Sequence, residues 1–381
     1  MAVLSDAQRE AGWTIAKLGD VATVITGQTP SKKFPEHWGE KGEIPFLTPK
    51  DQTFGIRSVD TERYISKNYI DIYKKRVVPA GSVALTCIGS SLGKISVTRH
   101  VTLTNQQINS IVSDESKSNN LYIYYYLILS YDSLESLAGG TVMPIVNKTS
   151  LEGMEIPLPP LEEQERIAGI LGSLDDKIEA NTRLIQTLDS LGEAVTRKYL
   201  KSVQETQKLN DIAHIVMGQS PKGETLNTEG SGVLFFQGKK DFGFRYPTPR
   251  TYTTAATRMA EPLDILFSVR APIGAINRSV EACCVGRGLA AIRSSCGQEN
   301  TLFYTLKTNP NLWEKFEGEG TIFSAINKKG LSELDIPFSE TAISNGVEDF
   351  LTSVEQEIFS LEQENLQLAE TRDALIKRLI G

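Results

Sequence analysis

The sequence predicts an α+β protein in which two similar blocks are separated by two long helices that pair as an antiparallel coiled coil, a dumbbell with pseudo-two-fold symmetry. Three observations predict it. The chain repeats itself, each repeat ends in a heptad stripe, and the stretches between the stripes carry short strand-and-turn signals.

The repeat is plainest at Lys17–Lys33, KLGDVATVITGQTPSKK, which returns as KLNDIAHIVMGQSPKGE at Lys208–Glu224, 191 positions later. Further on, GGTVMPIVNKTSLEGMEIPLPP from Gly139 is matched by EGTIFSAINKKGLSELDIPFSE from Glu319, an offset of 180. The second copy is therefore 11 residues shorter between these landmarks. Self-similarity on this scale means one structural unit used twice.

Inside the blocks, RVVPAGSVALTCIG and EPLDILFSVRAPIGAI are β-branched runs punctuated by Pro and Gly, and TPSKKFPEHWGEKGEIPF is a long irregular loop. NLYIYYYLILSYDSLESLA reads as helix. Each block is expected to hold a mostly antiparallel, curved sheet with one or two helices.

The two long helices carry the strongest periodicity. Ile167, Leu171, Leu174, Ile178, Asn181, Ile185, Leu188, Gly192, Val195 and Tyr199 alternate spacings of four and three, the a/d seam of a coiled coil. Adding 180 gives Val347, Leu351, Val354, Ile358, Leu361, Asn365, Leu368, Arg372, Leu375 and Leu379. A core asparagine is tolerated best opposite another amide, where the pair fixes register. If Asn181 faces Asn365, then Ile185 meets Leu361, Ile178 meets Leu368 and Leu188 meets Ile358. This antiparallel register breaks only at Gly192 and Arg372. The alternative places each asparagine at the seam's edge in water.

Charge is divided along the chain. The net charge of −7 resolves into +2 for residues 1–150, −5 for 151–206, +2 for 207–338 and −6 for 339–381. The acid sits in the helical stretches and the blocks are mildly basic, and it is the local field that attracts a polyanion. No apolar run approaches the roughly 18 residues of a membrane span, and the opening MAVLSDAQREAGW lacks a secretion pattern, so a cytoplasmic protein is expected. Cys87, Cys283, Cys284 and Cys296 have no metal or disulfide spacing, and His37, His100 and His214 stand alone; buried thiols and no metal are expected.

Catalytic signatures are missing as well. There is no [DNS]-P-P-[YFW] tetrad, no Walker loop and no H-E-x-x-H helix. Glycines in AGGTVMP and GEGTIF are expected to turn the chain, although they could also cradle phosphate. Asp175 and Asp176 are expected on a solvated helix face.

The motifs GQTPSKKFPEHWGEKGEIPFLTPKD, VPAGSVALTCIGSSLGKISV, LTNQQINSIV, IPLPPLEEQERIAGILGSLDDKI and VRAPIGAI…GRGLAAI together resemble the specificity (S) subunit of type I restriction-modification systems. The resemblance runs from about Lys17 to the C-terminus and includes the doubled organisation. It implies target recognition domains at 1–157 and 207–337, a central conserved helical region at 158–206 and a C-terminal one at 338–381. It further implies that each recognition domain reads one half of a split double-stranded DNA target and that the chain is not itself an enzyme. Two adenine N6-methyltransferase (M) subunits and, in the full complex, two restriction (R) subunits would be its partners. S-adenosylmethionine, ATP and magnesium would bind those partners, leaving no cofactor here. The second helical region departs from the pattern, because IPFSETAISNGVEDFL lacks the PPLEEQ core.

On that reading the DNA contacts come from polar and basic loops of the two blocks. Gln28, Thr29, Ser31, Lys32 and Lys33 have counterparts in Gln219, Ser220, Lys222 and Gly223. Lys50 and Gln52 occupy a loop comparable to that of Gln237, Lys239 and Lys240, and Gln106 with Gln107 follows a strand. Arg270 and Arg287 stand beside tight turns, either as buried structural arginines or as phosphate contacts. Gln can bond adenine bidentately, Arg and Lys can reach guanine, and Ser, Thr and Lys commonly hold phosphate. The competing functional class is a coiled-coil scaffold that spaces two protein-binding modules without touching DNA.

If the helices set the gap between half-targets, deleting Asn181–Thr187 together with Leu361–Gln367 keeps the a/d phase and shortens the spacer by about 10 Å, at ~1.5 Å per residue. The preferred gap, read by selection from a library of spacer lengths, should shrink by about three base pairs at ~3.4 Å each. An unchanged gap with undiminished affinity rules out a ruler.

Overall fold

A computed structural model describes residues 3–138, 144–316, 325–339 and 341–381. It divides into two compact units, one of residues 1–181 with 364–381 and one of residues 182–363. The glycines of AGGTVMP and GEGTIF fall outside the described residues.

Each unit holds two small sheets and a ribbon, where the sequence suggested a single curved sheet. In the first unit Ala22–Thr26, Ile108–Ser113, Val83–Thr86 and Ile95–Val97 form, in that order, a four-stranded antiparallel sheet. The second sheet orders Trp38–Gly39, Arg63–Ile65, Ile44–Leu47, Thr102–Thr104 and Val77–Val78, with one parallel pair between Ile44–Leu47 and Thr102–Thr104. Thr14–Lys17 pairs antiparallel with Glu155–Leu158 to close the block's two ends. These strands are only two to six residues long, cut by the Gly, Pro and Asn residues between them, and such short strands divide between two sheets.

The second unit repeats this plan strand for strand. Its four-stranded sheet is Ala213–Met217, Leu289–Ser294, Ile265–Ser268 and Ile276–Arg278. Its five-stranded sheet orders Leu226–Asn227, Tyr252–Thr253, Val233–Phe236, Cys283–Val285 and Met259–Ala260, and again the third and fourth strands are the parallel pair. Thr206–Lys208 pairs with Asp335–Pro337. The repeated motif beginning with asparagine has a local cause, since the Asn147 side chain accepts from Ser150 N and the Asn327 side chain from Gly330 N, both at 2.8 Å. Each caps a short helix leading into the ribbon.

A central helix, Leu161–Leu200, and a C-terminal helix, Val347–Leu379, carry the heptad stripes. In the first unit Ile167 and Leu171 join Ile376 and Ile380 in the block's own core. Asn181 Nδ2 donates to Asn365 Oδ1 at 3.0 Å and to Glu364 Oε2 at 2.7 Å, so the asparagines meet. In the second unit Ile185 clusters with Val354, Ile358 and Leu361, with Leu188 packed against them. Within each unit the paired numbers fall on one helix as they rise on the other, so the helices run antiparallel.

The two breaks in the stripe have separate explanations. At Gly192 a Cβ would overlap the ring of Tyr304, so glycine makes room for a side chain of the block helix Glu299–Thr308. At Arg372 the guanidinium is buried, and its Nη1 donates to Asp175 Oδ1 at 2.7 Å and to Gly55 O at 3.0 Å. Asp175 therefore corrects the expectation of a solvated face: it is buried and also accepts from Tyr125 OH at 2.6 Å, while Asp176 does face solvent. The guanidinium and the phenol are the partners that a buried carboxylate requires. In the second unit the half-buried Glu362 accepts from Arg245 N at 3.3 Å, and burial pushes its carboxyl up to about 7. Its contribution to stability is thus complete below about 4.5 and lost as pH rises through about 7.

The asparagine contact gives a specific expectation. Asn181→Leu alone removes the bonds from Asn181 to Asn365 and Glu364 and should lower the melting temperature. The double change to leucine should recover more than the lost stability, with a coupling of about 0.5–3 kcal/mol in a double-mutant cycle read by thermal unfolding. Additive single effects would mean that the contact has no energetic weight.

Candidate nucleic-acid interface

Both units build the same loop junction where the chain crosses between the two sheets. In the first, Gly27 N donates to Ile108 O at 3.0 Å and Gln28 N to Thr104 O at 2.8 Å, while Asn105 N donates to Leu47 O at 2.8 Å. In the second, Gly218 N donates to Leu289 O, Gln219 N to Val285 O and Gly286 N to Phe236 O, each at 2.9 Å. Three segments are thus tied by the same main-chain bonds in each unit. A Cβ on Gly27 would overlap Thr104 O, and one on Gly218 would overlap Gly286 O, which is why the GQTP and GQSP motifs begin with glycine. The following proline is buried in both copies and the glutamine is exposed in both.

Most of the expected contact residues surround these junctions. Gln28, Ser31, Lys32, Lys33 and Gln106 are exposed, and Thr29 donates to Gln106 Oε1 while accepting from Asn105 Nδ2 at 3.2 Å. Gln107 is half-buried and its main chain is engaged with Asn105 and Cys87. In the second unit Gln219, Lys222, Lys239, Lys240 and Arg287 are exposed. Ser220 Oγ donates to Gln237 Oε1 at 2.9 Å and accepts from Arg287 N at 3.3 Å, which draws three of the named residues together. Arg270 lies on a different turn, after strand Ile265–Ser268, where its main chain bridges to Ala325. Its side chain and that of Arg287 are exposed, so the buried structural reading fails for both. Lys50 is exposed and paired with Glu62 at 2.9 Å, a hydrogen bond that holds its ammonium pKa up.

Gln52 is a correction. It is buried, its Nε2 donates to Ala84 O and Ser96 Oγ at 2.8 Å each, and its Oε1 accepts from Thr86 Oγ1 at 2.5 Å. The amide is consumed in fastening the loop to the four-stranded sheet and has nothing left for a base edge.

Two residues escaped the sequence reading. Arg76 Nη1 donates to Thr26 O at 3.1 Å, beside Gln28, and precedes strand Val77–Val78. Arg258 precedes the equivalent strand, Met259–Ala260, and its neighbour Thr257 donates to Gln219 O. Both arginines are exposed, as are Lys74 and Lys75. The available signal was the repeat, which sets RVVPAGSV against RMAEPLDI.

No group of metal-ligating side chains occurs among the described residues. Burial pushes the Cys87 thiol up to about 11 and the Cys283 thiol up to about 12, which makes both inert. No described helix is long and apolar enough to cross a membrane.

Residues 10–190 match the family model described as the type I restriction modification DNA specificity domain. Over 406 aligned residues the chain is 27% identical to the assigned type I restriction enzyme MjaX specificity subunit of Methanocaldococcus jannaschii, covering 97% of this chain and 92% of that protein. Over nearly its whole length the chain is similar to a specificity subunit of a type I restriction-modification system. Another similar protein, the EcoR124I/EcoR124II specificity subunit of Escherichia coli, is 29% identical over 234 residues, 59% of this chain and 52% of that one. The fold is shared with the S subunit from M. genitalium, which superimposes with a TM-score of 0.62 over 97% of this chain and 96% of that one, at 18% identity.

If the chain binds DNA, exposed arginines that precede the equivalent strand in both copies are suited to phosphate. Arg76→Ala and Arg258→Ala should each weaken duplex binding about equally for all sequences. Each should also reduce the slope of log K against log salt by about 1, measured by fluorescence anisotropy across a salt series.

Proposed function

We propose that this chain recognises a bipartite, gapped double-stranded DNA target, one half with each unit, and presents that target to methyltransferase and restriction subunits. The observation that carries the reading is the doubled junction, which has the same main-chain bonds in both units but differs in part of its exposed side chains. A common scaffold gives a common way of meeting the duplex, and unlike side chains give unlike sequences. Amides and cations dominate the exposed positions named above, as direct readout and phosphate positioning require.

The chain acts by placing other active sites and performs no chemical step. Two methyltransferase subunits, and two restriction subunits in the full complex, would match its doubled architecture. S-adenosylmethionine, ATP and magnesium belong to those subunits in this scheme, and the complex would work in the cytoplasm.

Exchanging residues 208–336 for the matching block of a relative tests the division of labour. Methylated-site sequencing of DNA treated with the hybrid plus its methyltransferase partner should show one half-target changed and the other kept. A change in both halves overturns the proposal, as does methyl transfer by the purified chain alone.

A further inference from the structure

Between the last strand pair of each unit lies a three-residue loop, 105–107 in the first and 286–288 in the second. Each joins the five-stranded to the four-stranded sheet: Thr102–Thr104 to Ile108–Ser113, and Cys283–Val285 to Leu289–Ser294. Both are closed by the same bond, Ile108 N to Asn105 O and Leu289 N to Gly286 O, each 2.9 Å. The middle residues are therefore structural equivalents, and they are Gln106 and Arg287.

At three exposed positions around the junction the two copies keep one chemistry. Gln28 matches Gln219, Arg76 matches Arg258, and Lys50 matches Lys239. Such positions cannot tell one half-target from another. The loop centre differs in chemical class while its main chain is the same. Arg287 stands between two buried glycines; a Cβ on either would collide with Gln237, on its side chain at Gly286 and on its main-chain carbonyl at Gly288. With Arg287 N also anchored on Ser220 Oγ, the root of the side chain is fixed, and among the described residues its guanidinium has no hydrogen-bond or ion-pair partner. Gln106 is fixed differently, with Thr29 holding its Oε1 and Asn105 holding Thr29. Asn105 in the first unit stands where the second has Gly286, each donating its main-chain N–H to the equivalent strand end, Leu47 O and Phe236 O.

We infer that this position determines specificity: Arg287 reads a guanine in one half-target and Gln106 an adenine in the other. A guanidinium matches the O6 and N7 acceptors of guanine, and a carboxamide matches the N6 donor and N7 acceptor of adenine. The inference rests on the function proposed above and assigns bases to it.

The test is selection of duplexes from a randomised pool by the full chain and by three variants, with thermal unfolding as a check that the exposed substitutions leave the fold intact. Arg287→Gln should lower the preference for guanine at one position of one half-target by about tenfold to a hundredfold and leave the other half-target unchanged. Arg287→Lys keeps the charge but loses the two-pronged geometry, so the salt dependence should survive and the guanine preference should not. Gln106→Arg should bring guanine in place of adenine in the other half-target. Lysine behaving like the parent, or glutamine weakening all sequences evenly with a shallower salt slope, would make Arg287 a phosphate contact and overturn the assignment. A parent chain that enriches no two-part target would instead defeat the proposed function itself. A parent target that all three variants leave untouched defeats only this inference.

Discussion

Arg372 and Asp175 are paired deep under the first block, and the way that block sits on its helices follows from the contact. The arginine also bonds Gly55 O, and the aspartate also accepts from Tyr125 of the block helix Asn120–Leu129, so two helices and two block segments converge on one pair of charges. Around it Arg57 donates to Glu179 Oε1 at 3.0 Å and pairs with Asp176. Removing one partner of such a buried pair costs about 3–5 kcal/mol, whereas a well-packed apolar replacement of both is often neutral. The charges thus contribute a demand for one arrangement more than they contribute net stability.

The second unit meets the same demand with different residues. Tyr304 OH donates to Glu355 at 2.8 Å, as Tyr125 does to Asp175, but the arginines come from the block. Arg245 pairs with Asp189 at 2.5 Å and with Glu355 at 3.2 Å, and Arg278 lies 3.3 Å from Glu355. Gly192, at the place that repeats as Arg372, clears the space for Tyr304. What the two copies share is the tyrosine and the carboxylate; the source of the cation is free to move. A third carboxylate, Glu348, bonds the main-chain nitrogens of Asn300 and Thr301 and orients the block helix from its first turn.

Much of this was legible in the sequence wherever the signal was periodic or doubled. The a/d stripe located both helices, and the asparagine argument found a contact between residues 184 apart. The GQTP and GQSP motifs marked the junctions. What stayed hidden was decided by distant partners. Asp175 looks like any acidic residue on a helix until Arg372, 197 positions away, is brought to it. Gln52 has the composition of a DNA-reading loop residue, and only the strands carrying Ala84, Thr86 and Ser96 reveal that its amide is spent. The split into two sheets was equally invisible, because strands of two to six residues declare their presence and not their neighbours.

The junction loops are tied together by main-chain donors and acceptors, with side chains contributing at their margins. A substitution at the loop centre therefore removes no bond on which the sheets depend. Folding is thermodynamically separated from the side-chain chemistry of that spot: sequence change there is nearly free of any stability penalty, whereas change at Gly27, Gly218 or Asp175 is not. A lineage under pressure to alter what it recognises could drift along these few exposed positions without crossing an unfolded intermediate. The two halves of one chain, with glutamine in one loop and arginine in the other, already differ by such a step.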